Sequence, residues 1–132
     1  MTTFRQAVRF GGVGLIGFIV DAFVVTWLSS GLGVAFYAAR AVSFLAAVTT
    51  TWFLNRKFTF RDDNPAVVLQ WLHFLSANAF GGTVNFGVFM ACVAYSDAVA
   101  AIPALGVAAG SLAGAGVNFA LSKRYVFNKS VH

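Results

Sequence analysis

Four long apolar segments alternate with short polar connections along the chain. They cover roughly residues 10–28, 34–54, 71–95 and 101–121, and each is close to the roughly 20 residues that a membrane-spanning helix needs. The first and second segments, like the third and fourth, are separated by only a few residues. The pattern therefore predicts four transmembrane helices in an up-and-down order.

The composition supports this interpretation. Hydrophobic residues make up 59% of the 132 residues and charged residues only 10%, and the mean hydropathy is +0.79. A soluble domain carries about a quarter charged residues, so the sequence predicts an all-α integral membrane protein. The single cysteine, Cys92, has no partner for an intrachain disulfide and is expected to serve in packing.

Apart from Arg40, the basic residues are confined to the same ends of the predicted helices. The three clusters consist of Arg5 and Arg9, then Arg56, Lys57 and Arg61, then Lys123, Arg124 and Lys129. The connections at 29–33 and 96–99 hold no basic residue. The positive-inside rule then places both termini and the central loop in the cytoplasm. The net charge of +5 comes mainly from these clusters at helix ends, so no nucleic-acid partner is expected. The short polar N-terminus before the first apolar segment is not typical of a signal peptide, so the first helix is expected to be retained.

The chain also reads as a duplication. A shift of 64 residues aligns the first segment with the third, and a shift of 67 aligns the second with the fourth. The aligned pairs include Gln6 with Gln70, Arg9 with His73, Phe10 with Phe74, Gly17 with Gly81, Asp21 with Asn85, Thr51 with Asn118, Asn55 with Ser122, Lys57 with Arg124 and Phe60 with Phe127. Residues 1–132 are thus predicted to form one transmembrane domain of two parallel two-helix repeats, at about 4–60 and 68–127, joined by a cytoplasmic loop at about 56–70.

The second repeat has a possible helix start ahead of its apolar segment. Asn64 and Pro65 are a typical cap and first-turn pair. We expect residues 65–72 to lie along the cytoplasmic interface before the chain enters the bilayer. Residues 3–9 are the matching segment of the first repeat.

Small and polar residues recur every fourth position in the second and fourth segments. The stripes are Ala39, Ser43, Ala47, Thr51 and Asn55, and Gly106, Gly110, Gly114, Asn118 and Ser122. Small stripes allow helix backbones to approach closely in lipid. On the third segment, Asn78 and Asn85 share a face with two glycines. These polar faces predict either a groove or simple interhelical hydrogen bonding.

Two charged residues lie deep in the predicted membrane. Asp21 is 12 residues beyond Arg9, about 18 Å, and Arg40 is 16 residues, about 24 Å, from the basic end of its own helix. The difference is within the reach of an arginine side chain, so an Asp21–Arg40 ion pair is expected. Intramembrane charges are functional candidates, although a purely structural pair that docks two helices is the alternative.

The repeated basic and aromatic ends have two possible roles. Such residues orient helices and anchor them at the interface, but paired cations beside amide and hydroxyl donors are also suited to a lipid phosphate. The candidate substrate-binding residues are Arg9, Asp21, Arg40, Thr51, Asn55, Arg56, Lys57, Asn78, Asn85, Asn118, Lys123 and Arg124. No catalytic, metal or cofactor motif accompanies them, so an enzyme is not expected.

Several of these motifs together resemble the GtrA-like family of small four-helix membrane proteins. They are the order RFGGVG at residues 9–14, the intramembrane Asp21, NRKFTF at residues 55–60 and NFALSKRYVF at residues 118–127. The resemblance implies transfer of a polyprenyl-phosphate-linked sugar, such as undecaprenyl-phosphate glucose, between the leaflets of the cytoplasmic membrane. It also implies a polyprenyl-phosphate glycosyltransferase as partner. Ser122 departs from the motif asparagine represented by Asn55.

Three functions therefore compete. The first is translocation of a lipid-linked sugar for cell-envelope polysaccharide. The second is a membrane anchor for the glycosyltransferase, with no transport. The third is a proton-coupled exporter resembling the small multidrug-resistance proteins, which the proximity of Arg40 to Asp21 disfavours. Four short helices enclose little volume, so a homo-oligomer or a partner complex is expected to complete a polar path.

Overall fold

The computed structural model describes residues 2–128, and this part of the chain is helical, without strands. Five α-helices form in chain order: α1 (Thr3–Thr26), α2 (Phe36–Leu54), α3 (Val67–Tyr95), α4 (Asp97–Ala101) and α5 (Pro103–Leu121). Short π-helical turns continue α1, α2 and α5, at Trp27–Gly31, Asn55–Thr59 and Ser122–Val126. The all-α prediction is confirmed, and the repeated basic-aromatic motifs coincide with the second and third π-turns.

Three helices are long and apolar enough to cross a membrane, as far as residues 2–128 show. They are Thr3–Gly31, Val67–Tyr95 and Ala104–Val126, and at most 17% of the most apolar window of each is buried within the chain. Apolar helices with so little burial are suited to contact with lipid. Helix α2 falls outside this set because Arg40 and the threonines at 49–51 lower its hydropathy. The chain is an integral membrane protein, while the fourth span remains a prediction.

The connections are shorter and more structured than the apolar pattern indicates. The stretch between the second π-turn and α3 is irregular only over 60–66, and α3 begins at Val67, two residues after Pro65. Asn64 does not start the helix; its Oδ1 accepts a hydrogen bond from the Ala66 amide at 2.9 Å. Helix α3 then runs without interruption to Tyr95, and α1 begins at Thr3, so residues 67–72 and 3–9 are continuous with the long helices that they begin. Their placement along the interface stays a prediction. In the second short connection, Ser96 caps the five-residue α4.

The chain divides into two compact units, one ending at Val67 and the other beginning at Val68. Each unit contains one close aromatic contact between its long helix and the end of its π-turn. In unit 1 the ring centroids of Phe10 and Phe60 are 6.3 Å apart. In unit 2 those of Phe74 and Phe127 are 5.8 Å apart. These are residues that the two sequence shifts align.

A second pair of aligned positions brings the helices of each unit close together. In unit 1, Gly17 of α1 is buried directly against the side chain of Thr51 in α2. In unit 2, Gly81 of α3 is buried directly against the side chain of Asn118 in α5. A side chain at either glycine would overlap its neighbour. The small residues thus set the helix separation, as such residues do in lipid.

Candidate functional site

Asp21 and Arg40 form an ion pair between α1 and α2. The Nη1 atom of Arg40 donates to both carboxylate oxygens of Asp21 at 3.0 Å. The helices approach closely here because Ala39 and Ser43, on either side of Arg40, are fully buried. The hydroxyl of Ser43 donates to the Arg40 carbonyl at 3.0 Å. The predicted ion pair therefore exists, within unit 1.

The pair is not shielded by the chain itself. The side chains of Asp21 and Arg40 remain 26% and 45% exposed. Charges facing hydrocarbon are costly, and those in spanning segments normally face a bundle interior or a water-filled cavity. Within unit 1 the ion pair is therefore open on one side.

Unit 2 has no charges at the aligned positions. Asn85 of α3, which aligns with Asp21, lies against Gly110 and Gly114 of α5. Val107, which aligns with Arg40, lines a groove of about 240 Å³ that also contains Asn85. The remaining lining residues are Gly82, Phe86, Phe89 and Ser111. Unit 2 thus offers a mostly apolar groove with an amide and a hydroxyl where unit 1 has its ion pair.

Asn78 and Asn118 are brought together within unit 2. The Asn118 amide nitrogen lies 3.5 Å from Oδ1 of Asn78, a long hydrogen bond. Asn78 in turn donates to the Phe74 carbonyl at 3.0 Å. Oδ1 of Asn118 is buried beside Gly81, with no hydrogen-bond partner among residues 2–128. The two amides therefore lie half-buried in the interface between α3 and α5, which fits interhelical hydrogen bonding.

Thr51 and Asn55 are also engaged inside their unit. The Thr51 hydroxyl donates to the Val48 carbonyl at 3.0 Å. Asn55 is only 1% exposed, and its Oδ1 accepts a hydrogen bond from the Thr59 hydroxyl at 2.8 Å. Asn55 is therefore part of the packing of the π-turn and is not accessible to a lipid headgroup at the surface of unit 1. Thr59, which the motif order did not single out, completes this buried pair.

Two of the candidate arginines donate hydrogen bonds to backbone carbonyls in or near the second π-turn. The guanidinium of Arg9 donates to the Phe58 carbonyl at 2.9 Å. That of Arg56 donates to the Asn64 carbonyl at 2.7 Å and lies 6.0 Å from the Trp52 ring centroid. The Phe58 carbonyl belongs to the π-turn, where a helix end leaves backbone oxygens without helical partners, and the Asn64 carbonyl lies in the irregular connection that follows. Their geometry supports a structural role at the end of unit 1 that holds the second π-turn.

The remaining motif cations are more accessible. Lys57 and Arg124, which occupy aligned positions in the two π-turns, are exposed. The Lys57 amine lies 5.6 Å from the Phe53 ring centroid, and the Arg124 guanidinium lies 5.9 Å from that of Tyr125. Neither side chain forms a hydrogen bond or ion pair within the described chain, whereas Lys123 is half-buried. Lys57 and Arg124 are therefore the candidates best placed to meet an anion, while Lys129 lies outside the described residues.

A larger groove, of about 390 Å³, adjoins the third π-turn in unit 2. Tyr125 lines it, together with His73, Ser76, Ala77, Phe80, Leu121 and Val126. Its walls are mainly apolar, with an imidazole and two hydroxyls among them. Such a lining is suited to an apolar chain that carries a polar group at one end. Within the described part of the chain, no cluster of three or more His, Cys, Asp or Glu residues is arranged to hold a metal.

Comparison with known proteins identifies the family of this chain. No curated protein matches the chain significantly. The family model of the GtrA/DPMS transmembrane domain, however, matches residues 9–130. This match includes both units, the Asp21–Arg40 pair and both π-turn motifs. The chain therefore belongs to the GtrA/DPMS transmembrane-domain family.

Proposed function

We propose that the protein transfers a polyprenyl-phosphate-linked sugar between the leaflets of the cytoplasmic membrane, for synthesis or modification of a cell-envelope polysaccharide. Membership of the GtrA/DPMS family supports a role in handling such lipids. The observation that carries the proposal is the pair of equivalent π-turns, each with an exposed cation beside an aromatic ring. Two equivalent motifs suit recognition of a charged headgroup at one membrane surface.

The residues suggest how the headgroup would be handled. Lys57 and Arg124 would attract the lipid phosphate at the interface, where basic side chains interact with anionic lipids. The exposed Asp21–Arg40 pair supplies polar groups farther along α1 and α2, where a sugar needs hydrogen-bonding partners. The polyprenyl chain would remain in lipid. Because the ion pair is open on one side, a second copy or a glycosyltransferase is proposed to cover it.

A four-span topology with both termini in the cytoplasm is part of the proposal. It rests on the positions of the basic residues and on the length of α2 with its π-turn, Phe36–Thr59. In a Cys92→Ser background, we expect Asp63→Cys and Asp97→Cys to be labelled from opposite sides of the membrane. Both positions are exposed, so a membrane-impermeant thiol reagent applied to spheroplasts would measure this. Labelling of both cysteines from the same side would contradict the topology.

Transfer itself is tested with purified protein in liposomes that contain a fluorescent polyprenyl-phosphate sugar in the inner leaflet. We expect the lipid to become accessible to an outside quencher faster than in empty liposomes. Lys57→Ala and Arg124→Ala should each weaken headgroup binding about fivefold, the effect of about 1 kcal/mol for one basic residue near a membrane surface. Lys57→Arg retains the charge and is the matched control.

The transfer assay, combined with a measurement of glycosyltransferase binding, separates translocation from the anchor function. Binding of a glycosyltransferase without any lipid transfer would establish the anchor function instead. A proton-coupled exporter is disfavoured because Arg40 already neutralises the carboxylate of Asp21. Drug efflux that depends on a proton gradient would nevertheless contradict our proposal. No catalytic role is proposed for any residue.

A further inference from the structure

Two π-turns of unit 1 end in the same backbone motif. After the first, the Leu32 amide donates to the Trp27 carbonyl at 3.1 Å, and the Val34 amide donates to the Leu28 carbonyl at 2.8 Å. The residue between these two donors is Gly33, whose φ is +68°. A left-handed residue at this place is the common way for a helix to end, and it is usually glycine because glycine has no Cβ.

The second π-turn ends in the same way but without glycine. The Phe60 amide donates to the Asn55 carbonyl at 2.9 Å, and the Asp62 amide donates to the Arg56 carbonyl at 2.9 Å. The residue between these donors is Arg61, whose φ is +49°. No other non-glycine residue among residues 2–128 has a positive φ. An arginine thus occupies a conformation that its own backbone disfavours.

Neither membrane topology nor packing accounts for an arginine at position 61. A topology signal requires only positive charge near the helix end, and Arg56 and Lys57 already supply it. Packing does not require the side chain either, because Arg61 is exposed. It makes no hydrogen bond or ion pair with any other described residue. In unit 2 the aligned position is Asn128, for which no positive φ is found, so the strained conformation is a feature of Arg61 and not of the repeated motif. Strained residues held by their surroundings are concentrated at functional sites.

We propose that Arg61 is a lipid-phosphate contact, retained at a strained position because its guanidinium binds the anionic headgroup at the end of α2. It lies two residues beyond the second π-turn, and only residues 60–66 separate that turn from α3, so Arg61 stays close to the membrane boundary. The planar guanidinium donates to two phosphate oxygens at once. The identity of the lipid rests on the proposed function. The contact itself requires only a lipid phosphate, which either a polyprenyl phosphate or a phospholipid can supply.

The test compares Arg61→Gly with the wild type in stability and in lipid binding, because the two should change in opposite directions. Glycine removes the backbone strain, so the unfolding temperature in nanodiscs should rise by about 2–4 °C. Loss of the cation should weaken lipid binding about fivefold. Arg61→Lys retains charge without the planar fork and should give an intermediate affinity. Gly33→Ala is the matched control: a Cβ there meets nothing within 4 Å, so it should lower the unfolding temperature through φ alone and leave binding unchanged.

Two lipid probes distinguish the source of the phosphate. One is a short polyprenyl phosphate added to phosphatidylcholine nanodiscs, and the other is phosphatidylglycerol in the same nanodiscs. Weaker binding by Arg61→Gly in the first arm alone, or in both arms, supports the contact. Unchanged affinity in both arms overturns it, even if glycosyltransferase binding is lost. If the wild type binds phosphatidylglycerol but not polyprenyl phosphate, the proposed function fails, and the second arm alone decides the role of Arg61.

Discussion

Asp21→Asn is expected to slow lipid transfer about tenfold. The double variant, Asp21→Asn with Arg40→Gln, should lose less of the transfer rate than the sum of the losses in the two single variants. The single substitution leaves the Arg40 guanidinium without its counter-ion in the spanning region. An unpaired charge there is costly and draws water or lipid phosphate toward it. Removing both charges restores neutrality, so the two positions should be coupled.

The measurement is a double-mutant cycle in the liposome transfer assay, with the amount of folded protein quantified for each variant. Thr83→Ala is the control, because Thr83 is an exposed polar residue of α3 outside the candidate site, and its hydroxyl donates to the Ala79 carbonyl of the same helix. Strictly additive losses for Asp21→Asn and Arg40→Gln, in folded protein, would show that the ion pair is not a functional unit. An equal loss for Thr83→Ala would mean that removal of any polar side chain from the long helices slows transfer, and the effect could not be assigned to the ion pair.

The apolar pattern predicted the long helices well because lipid-facing helices are apolar over most of their surface, and their lengths are set by the bilayer. It was weaker at their ends. The π-turns depend on backbone hydrogen bonds between residues five apart, such as that between Phe60 and Asn55, which leave no periodic signal. The start of α3 at Val67 depends on turns at Asp62 and Asn64, where local side-chain hydrogen bonds replace the expected cap.

The site was predictable where a charge stood alone in an apolar segment. Asp21 and Arg40 are conspicuous for this reason, and helix rise alone placed them within reach of each other. The basic ends were harder to interpret, because composition does not show which cations already have partners. Arg56 is bound to the Asn64 carbonyl and Arg9 to the Phe58 carbonyl. The sequence order favoured Arg56 over Arg61 as a ligand contact, because nothing in it indicates a positive φ.

Gly110→Ala is expected to have the largest effect on folding of any single methyl added to unit 2. A Cβ at Gly110 would lie 2.5 Å from the backbone carbonyl oxygen of Asn85 and 2.5 Å from its Oδ1. The amide oxygen can rotate away, but the backbone oxygen belongs to the continuous helix α3, so the two helices must separate. Overpacking of this kind costs about 1–3 kcal/mol. Separation of α3 and α5 would also loosen the contact between Gly114 and Gly81 one turn away.

The matched control is Gly116→Ala, in the same helix. Gly116 is exposed, and a Cβ there meets nothing within 4 Å. Since alanine is the better helix former by up to about 1 kcal/mol, this variant should be as stable as the wild type or more so. Unfolding in a detergent series of increasing denaturing strength, followed by circular dichroism, measures both variants under one condition. Equal stability of Gly110→Ala and Gly116→Ala would show that α3 and α5 do not depend on close approach at Gly110. The second small-residue stripe would then have to be explained by lipid contact or by a partner, and not by packing within unit 2.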